Sequence, residues 1–274
     1  MSLLNISKGM ICHYPLNEVL YKTVYDTSGS INNASTSITA FSSNSPRYNQ
    51  AIQFNGTSNY ISTGQLFSSN NTSFSISFWI KANTLATHGI FVSKTVMGKG
   101  IAIFLLSNGS TLYPVFDDGQ RSTFDICTFP VNSWVHLCFT RTSSSKKAYV
   151  NFNGTKIQTD YNIGDLTGIG TKGVIGASQN SDTGIGDDNY LNGCMSDFRI
   201  YNTALSDSDV ADLYRIGESV TSDGQVLTYE FREESNLSFS QKGIISCTEL
   251  IGQKDALQIN KTENKIYAND FTEV

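Results

Sequence analysis

Two short segments of the sequence carry side chains that could bind a hydroxyl-rich ligand. Residues 113–121 and 179–190 each combine carboxylates and an amide with aromatic rings. Carboxylates and amides can form paired hydrogen bonds with neighbouring hydroxyl groups, and an aromatic ring can cover the apolar face of a sugar. The candidate ligand-binding residues are Phe116, Asp117, Asp118, Gln120, Asp187, Asp188 and Tyr190. The same composition is also typical of solvated turns, so the sequence leaves both interpretations open.

Catalytic patterns are absent from the sequence. It contains no G-x-S-x-G, Walker A or H-E-x-x-H motif. The three histidines, His13, His88 and His136, lie far apart along the chain. His136 falls within an alternating pattern of apolar residues, where a structural histidine is expected. We therefore expect a protein that is not an enzyme.

Composition argues against several classes of partner. The net charge of −5 and the lack of a basic cluster argue against nucleic acid, which is bound through lysine and arginine. Five scattered cysteines imply neither a disulfide framework nor a metal pair. No signal peptide and no apolar run of membrane-spanning length is evident. We expect synthesis in a cytoplasm and no membrane insertion.

The elements that must position these residues are strands. Apolar and polar residues alternate clearly in the segments 73–82, 134–142 and 146–159, and the third contains an Asn153-Gly154 pair that predicts a type I′ hairpin. Weaker strands are predicted at 10–15, 51–54, 59–62, 89–94, 100–106, 112–116, 173–176 and 190–201. Many short strands with almost no helical periodicity predict a two-sheet antiparallel sandwich.

Five landmarks, taken in order, resemble the laminin-G-like, concanavalin-A-like jelly-roll family of lectins and glucanases. They are residues 14–18 with 26–29, 51–56 with 58–61, 74–81, 134–137 and 194–206. The resemblance implies an all-β jelly-roll sandwich over residues 1–217. Glucanases of this family carry an E-x-D-x-x-E strand, which this sequence lacks.

The resemblance also implies a metal site. In many of the similar proteins a structural calcium bridges the D-x-S-G turn, the F-N-G turn and the aspartate of the closing strand. The matching residues are Asp26, Asn55 and Asp197. Asn59 stands where the family often has aspartate, which removes one negative charge. Alternatively, Asp26 and Asp197 accept hydrogen bonds in turns and caps.

One short helix is predicted after the last strand of the sandwich. Ser206 can cap it, and Val210, Leu213 and Tyr214 follow at helical spacing. In the similar proteins a short helix closes the sandwich. We expect the apolar side of this helix to cover an exposed edge or open end.

Residues 218–274 are predicted to form a strand-rich C-terminal tail that serves assembly or anchoring. The tail is too short to build an independent core easily, so we expect it to pack on the sandwich or pair with another chain. Its ending resembles the strand-forming C-termini of bacteriophage virion proteins that carry laminin-G-like domains. This resemblance implies a virion surface protein, a fibre or capsid decoration, that forms homo-oligomers, contacts other virion proteins and binds host-surface glycans. The alternative is a carbohydrate-binding adhesin module of a bacterial cell-surface protein.

Overall fold

The structure is a computed structural model that divides the chain into two compact units, Met1–Val220 and Thr221–Val274. In the first unit it describes residues 8–43, 45–48, 50–68, 72–95, 100–117, 122–123, 128–162, 165–179 and 182–218. In the second unit it describes residues 257–260 and 265–268.

The first unit contains sixteen strands and one helix within its described residues. The strands are β1 (Met10–Tyr14), β2 (Thr23–Val24), β3 (Ala34–Thr36), β4 (Phe41–Ser43), β5 (Gln50–Asn55), β6 (Ile61–Thr63), β7 (Phe74–Ala82), β8 (His88–Ser93), β9 (Ile101–Ser107), β10 (Leu112–Asp117), β11 (Ser122–Thr123), β12 (Val135–Thr142), β13 (Lys147–Phe152), β14 (Thr155–Asn162), β15 (Gly173–Ile175) and β16 (Asn192–Tyr201). The helix α1 (Asp207–Glu218) follows them.

These strands form two antiparallel sheets, which confirms the predicted sandwich. Sheet I has the order β14-β13-β12-β7-β16-β5-β4, and β1 also pairs with β16. Sheet II has the order β11-β10-β9-β8-β15-β6-β3-β2. Along one side of β16 lies β7, while β5 and β1 share its other side.

The core lies between the two sheets and is rich in aromatic rings. Phe198 of β16 contacts Phe78 of sheet I and Phe91 of sheet II, each with ring centroids 5.7 Å apart. On β7, the residues Phe74, Ile76, Phe78 and Ile80 are all fully buried, as their two-residue period predicts. The alternating pattern of the sequence therefore corresponds to the inner face of the sandwich.

The predicted type I′ hairpin connects β13 and β14. Phe152 pairs with Thr155, so Asn153 and Gly154 form a two-residue turn. Their φ angles of 48° and 74° are the positive values that this turn requires. The prediction from the Asn-Gly pair is confirmed.

The helix α1 begins where the sequence predicts it. The hydroxyl of Ser206 accepts a hydrogen bond from the Asp209 N–H (3.2 Å), and the Ser206 N–H donates to the Asp209 carboxylate (3.0 Å). This reciprocal pair is a capping box in which aspartate replaces the usual glutamate.

The position of α1 differs from the prediction of an edge or open end. Tyr214 stacks on Trp79 of β7 with centroids 5.5 Å apart and lies 6.0 Å from His136 of β12. The helix therefore packs on the outer face of sheet I, because that face presents aromatic rings there. Neither its length nor its apolar content would let α1, the helix in the described residues, cross a membrane.

Three cysteines lie within the described residues, and all are buried and free, as expected: Cys12, Cys138 and Cys194. Cys127 and Cys247 lie outside the described residues. Burial raises the pKa of the Cys138 thiol to about 12, which keeps it protonated and unreactive at neutral pH.

In the second unit, β17 (Leu257–Asn260) pairs with β18 (Lys265–Ala268) in an antiparallel hairpin. These two strands agree with the strand-rich tail that the sequence predicts. Residues 219–256, 261–264 and 269–274 lie outside the described residues. The assembly role of the tail and the division at residue 217 stay predictions.

Candidate functional site

Two tyrosines and two aspartates come together where the loop that follows β15 meets the residue that precedes β6. We call this group, Tyr60, Asp187, Asp188 and Tyr190, the Tyr60–Tyr190 surface. The Tyr190 hydroxyl donates a hydrogen bond to the Gly186 carbonyl (2.6 Å), and Gly186 lies against the Tyr60 ring. Partial burial raises the pKa of Tyr190, and the nearby Asp187, Tyr60 and Asp188 raise it further. Three of the candidate ligand-binding residues, Asp187, Asp188 and Tyr190, therefore belong to this group.

The loop that carries this surface is held by buried hydrogen bonds. Ser178 exchanges backbone hydrogen bonds with Asp187 and Asp188 at 3.0 and 2.9 Å. The buried Gln179 amide donates to the Val92 carbonyl and accepts from the Gly184 N–H, both at 3.0 Å. Asp187 and Asp188 are nevertheless exposed. The loop therefore presents two carboxylates from a fixed backbone.

The other predicted segment does not join this surface. Phe116, predicted to contact a ligand, lies in the core and stacks on Phe74 with centroids 5.9 Å apart. Alternate side chains of β10 point into the core, and Phe116 is one of them. The prediction that Phe116 contacts a ligand from a binding loop is therefore wrong. Asp117 ends β10, three strands from β15 and so about 14 Å across the sheet. The side chain of Asp117 and the residues Asp118 and Gln120 lie outside the described residues.

The side-chain oxygen atoms of Asp26 and Asn55 already accept hydrogen bonds from nearby donors. The Asp26 carboxylate accepts four hydrogen bonds of 2.9 Å, from the N–H groups of His13, Ser28 and Asn32 and from the Ser28 hydroxyl. Four is about the number of lone-pair sites that a carboxylate offers. The Asn55 side-chain oxygen accepts from three backbone N–H groups of its own turn, each at 3.0 Å.

Asp197 lies in a buried cluster of charged residues. Its Oδ1 accepts hydrogen bonds from Arg199 Nε (2.9 Å) and His13 Nε2 (2.7 Å), and its Oδ2 lies 3.8 Å from Arg47 Nε. We call these four residues the Asp197 cluster. Burial opposes ionisation of Asp197, but Arg199, His13 and Arg47 together hold its pKa well below the usual range. The carboxylate is therefore ionised and paired.

The backbone at Asp197 is also unusual. Its φ angle is +52°, within a bulge that interrupts the pairing of β16 with β7 between Ser196 and Arg199. A bulge redirects the side chains of a strand. This bulge brings the side chains of Asp197 and Arg199 together in the buried cluster.

The three residues matched to the family's calcium site do not fit a single cation in this structure. Asn55 pairs with Asn192 on β16, and Asp197 lies five residues further along, about 16 Å away at the usual rise per residue. Two guanidinium groups already neutralise Asp197. Among the described residues, no group of three or more His, Cys, Asp or Glu side chains is suited to a metal ion.

Calcium is accordingly expected to leave the melting temperature unchanged. A cation that binds only the folded chain would raise the melting temperature with its concentration. The measurement is thermal unfolding followed by circular dichroism in millimolar CaCl₂ and in EDTA, with MgCl₂ as the control for ionic strength. A rise of several degrees that is specific to calcium would contradict this interpretation.

Sequence reasoning missed Tyr60 and the partners of Asp197. Tyr60 precedes β6 in sheet II, and its approach to Tyr190 depends on the pairing of β6 with β15. Arg47 and His13 are more than 140 residues from Asp197 in the chain. No local pattern could have joined them.

A family model described as the concanavalin A-like lectin/glucanases superfamily matches residues 55–211 of this chain. A search of curated proteins finds no significant match. The similarity to a known family therefore rests on the match of this family model.

Several solved structures share the fold at low sequence identity. Domain 4 of AbnA, a GH43 extracellular arabinanase from Geobacillus stearothermophilus, in complex with arabinotriose, matches with a TM-score of 0.58 and 20% identity, over 75% of this chain and 98% of that domain. The binding domain of Paraclostridial Mosquitocidal Protein 1 matches with a TM-score of 0.57 and 20% identity, over 77% of this chain and 52% of that one.

A structure of botulinum neurotoxin type C, whose cell entry depends on interaction with two ganglioside molecules, also matches. Its TM-score is 0.58 and its identity 20%, over 78% of this chain and 52% of that one. This chain thus spans about half the length of both toxin chains. The three likenesses establish the fold.

Proposed function

This chain belongs to the concanavalin A-like lectin/glucanases superfamily, and from that premise we propose that it is a non-catalytic carbohydrate-binding protein. Two of the structurally similar proteins were solved with, or are described as requiring, a saccharide or ganglioside. The observation that carries the proposal is the Tyr60–Tyr190 surface, where two aromatic rings lie beside two exposed carboxylates.

The geometry of this surface suits a sugar. Asp187 and Asp188 can each accept hydrogen bonds from hydroxyl groups, while the tyrosine rings offer apolar area to a pyranose face. The Tyr190 phenol is protonated at neutral pH, as a tyrosine ordinarily is. Its proton is donated to Gly186, so its oxygen stays able to accept a hydrogen bond from a ligand. Because hydrogen bonds hold the backbone at Gly184, Asp187 and Asp188, little ordering of these residues should oppose binding.

Replacing Tyr190 with alanine is expected to weaken glycan binding at least about tenfold, a loss of about 1.4 kcal/mol. The variant removes one ring and the hydrogen bond that holds Gly186. Binding is measured on a glycan array and then by calorimetry on the best ligand. Tyr190→Phe keeps the ring and should retain most of the affinity if stacking dominates.

A matched control is Tyr21→Ala, since the Tyr21 side chain is 95% exposed and does not belong to the Tyr60–Tyr190 surface. It should bind glycans like the unchanged protein. Equal affinity of the Tyr190→Ala variant would contradict the assignment of the site. Failure of the unchanged protein to bind any glycan would contradict the proposed function itself.

We further propose that the protein acts on a virion surface, as a decoration or fibre component that touches host glycans. The β17–β18 hairpin supports this setting, because a two-stranded hairpin is marginal alone and favours pairing with other strands. Antibody labelling of source particles in the electron microscope separates this role from that of a cell-surface adhesin. Label on cell envelopes instead of particles would favour the adhesin.

A further inference from the structure

A small cavity lies on the outer face of sheet I, between its strands and the segment that leads into α1. It has a volume of about 280 Å³. Its walls come from β12, β13 and β14 on one side and from residues 204–207 on the other. The residues that matter for its chemistry are Thr140, Thr142, Tyr149, Asn151, Lys156 and Asp207. We call it the Asn151 pocket.

Strand register brings these side chains to one face. Thr140 pairs with Tyr149 across β12 and β13, and Asn151 pairs with Lys156 across β13 and β14. The alternate residues of β13, Val150 among them, point into the core. The polar face of the sheet edge therefore forms the pocket, and it is a rigid part of the sandwich.

The buried side-chain amide of Asn151, which lacks a hydrogen-bond acceptor in the described part of the chain, points to a ligand. Its side chain lines the pocket and is 99% buried, with a relative exposure of 1%. Its amide nitrogen Nδ2 has no hydrogen-bond partner among the residues that the structure describes. A buried donor without an acceptor costs about 1–3 kcal/mol, so a protein retains one only rarely. A ligand oxygen in the pocket would supply the acceptor after a small rotation of the amide.

The charges of the pocket define the class of ligand. Lys156 Nζ forms an ion pair of 2.7 Å with Asp207 and lies 4.5 Å from the centre of the Tyr149 ring. The side chain of Lys156 is 25% exposed and that of Asp207 is 62% exposed, so this ion pair lies at the rim of the pocket. An anionic ligand would meet the Asp207 carboxylate, and a cationic one would meet Lys156. A neutral ligand with adjacent hydroxyl groups can donate to Asp207 and accept from Lys156 at once.

We propose that the Asn151 pocket binds one neutral sugar residue, or a polyol of similar size, at a site separate from the Tyr60–Tyr190 surface. In this site Asn151 donates from its amide, the threonine hydroxyls exchange hydrogen bonds with the ligand, and the ion pair holds two neighbouring hydroxyls. The volume lies just below the range of about 300–1,000 Å³ typical of drug-sized ligands, which limits the occupant to a single ring.

The test is a titration of the ¹⁵N-labelled full chain with glucose, galactose, mannose and arabinose, followed by NMR. At least one of these sugars is expected to shift the side-chain amide signals of Asn151. Galacturonate and galactosamine, the charged counterparts of galactose, should shift them at least about tenfold less at equal concentration. No shift with any neutral sugar would overturn the proposal.

Two variants separate a binding role from a structural one. Asn151→Leu removes the buried donor and keeps the size, so it should abolish the sugar-induced shifts of the backbone amide signals of Thr140, Tyr149 and Lys156 while its melting temperature stays equal or rises. A clear fall in its melting temperature would show that the amide serves the fold, and would overturn the proposal. Lys156→Met should weaken binding at least about tenfold, and unchanged affinity in this variant would equally overturn it.

The Tyr190→Ala variant distinguishes this site from the surface on the loop after β15. It should keep the Asn151 shifts while it loses the affinity measured on the glycan array. Loss of both signals together would show that the sugars bind at one site only, and would overturn the second site.

Discussion

Replacing Asp197 with asparagine is expected to lower the free energy of unfolding by about 3–5 kcal/mol. The change keeps the size of the side chain, and asparagine tolerates the positive φ angle of this position. What it removes is the charge that balances the buried guanidinium of Arg199. An uncompensated buried charge is among the largest costs that a single substitution can impose.

Chemical denaturation in urea measures this loss, and a second aspartate beside an arginine provides the control. Asp212 and Arg215 form an ion pair of 2.7 Å, similar to the 2.9 Å between Asp197 and Arg199. The side chains of Asp212 and Arg215 are, however, 26% and 72% exposed. Asp212→Asn should therefore cost less than about 1 kcal/mol. Equal losses in the two variants would mean that the Asp197 cluster contributes no more than a surface pair.

Mild acid is expected to destabilise the protein through His136. Burial lowers the pKa of this histidine to about 4, from an unfolded value near 6.5. Between these two pH values the unfolded chain binds a proton at His136 and the folded chain does not. The free energy of unfolding therefore falls as the pH decreases through this window. The expected loss is about 2 kcal/mol at pH 5 relative to pH 7, and it approaches about 3 kcal/mol near pH 4.

The measurement is urea denaturation at several pH values for the protein and for His136→Gln. Glutamine can still hydrogen-bond to Ser77, the partner of His136 at 2.8 Å, but it does not titrate. Burial also lowers the pKa values of His13 and His88, so a smaller slope of the same sign remains in the variant. The Asp197 contribution fades only below about pH 4, outside the window. An identical slope in the variant would exclude His136 as the source.

Local patterns predicted most of the sandwich because its strands obey a simple period. The Asn153-Gly154 turn and the Ser206 cap each depend on a few adjacent residues, and both occur where the sequence places them. The helix was different. An apolar stripe shows that a helix has a partner but does not identify it, and Tyr214 finds Trp79 on a sheet face instead of an edge.

The sites were less predictable, because they join distant parts of the chain. Asp187, Asp188 and Tyr190 could be proposed as a group since they share one loop. Phe116 resembles them in type, but its place on β10 turns it into the core. Asn151 drew no attention in the sequence, where it is one polar residue of an alternating strand. The predicted hairpin already pairs Asn151 with Lys156, but the importance of Asn151 also depends on the segment before α1, which only the tertiary structure brings near.

The central place of β16 in sheet I has a consequence for the timing of folding. Until it is synthesised, β4 and β5 on one side and β7 with β12–β14 on the other have no strand to join them. The strand β1 cannot pair until β16 has been synthesised, because Met10 pairs with Tyr201. Synthesis of the intervening chain takes about 10–40 s at usual rates of translation. During that time two unfinished sheet edges stand open to any neighbouring chain, and pairing over such a distance is slow even afterwards. The nascent protein should therefore depend on chaperones until a single late strand arrives.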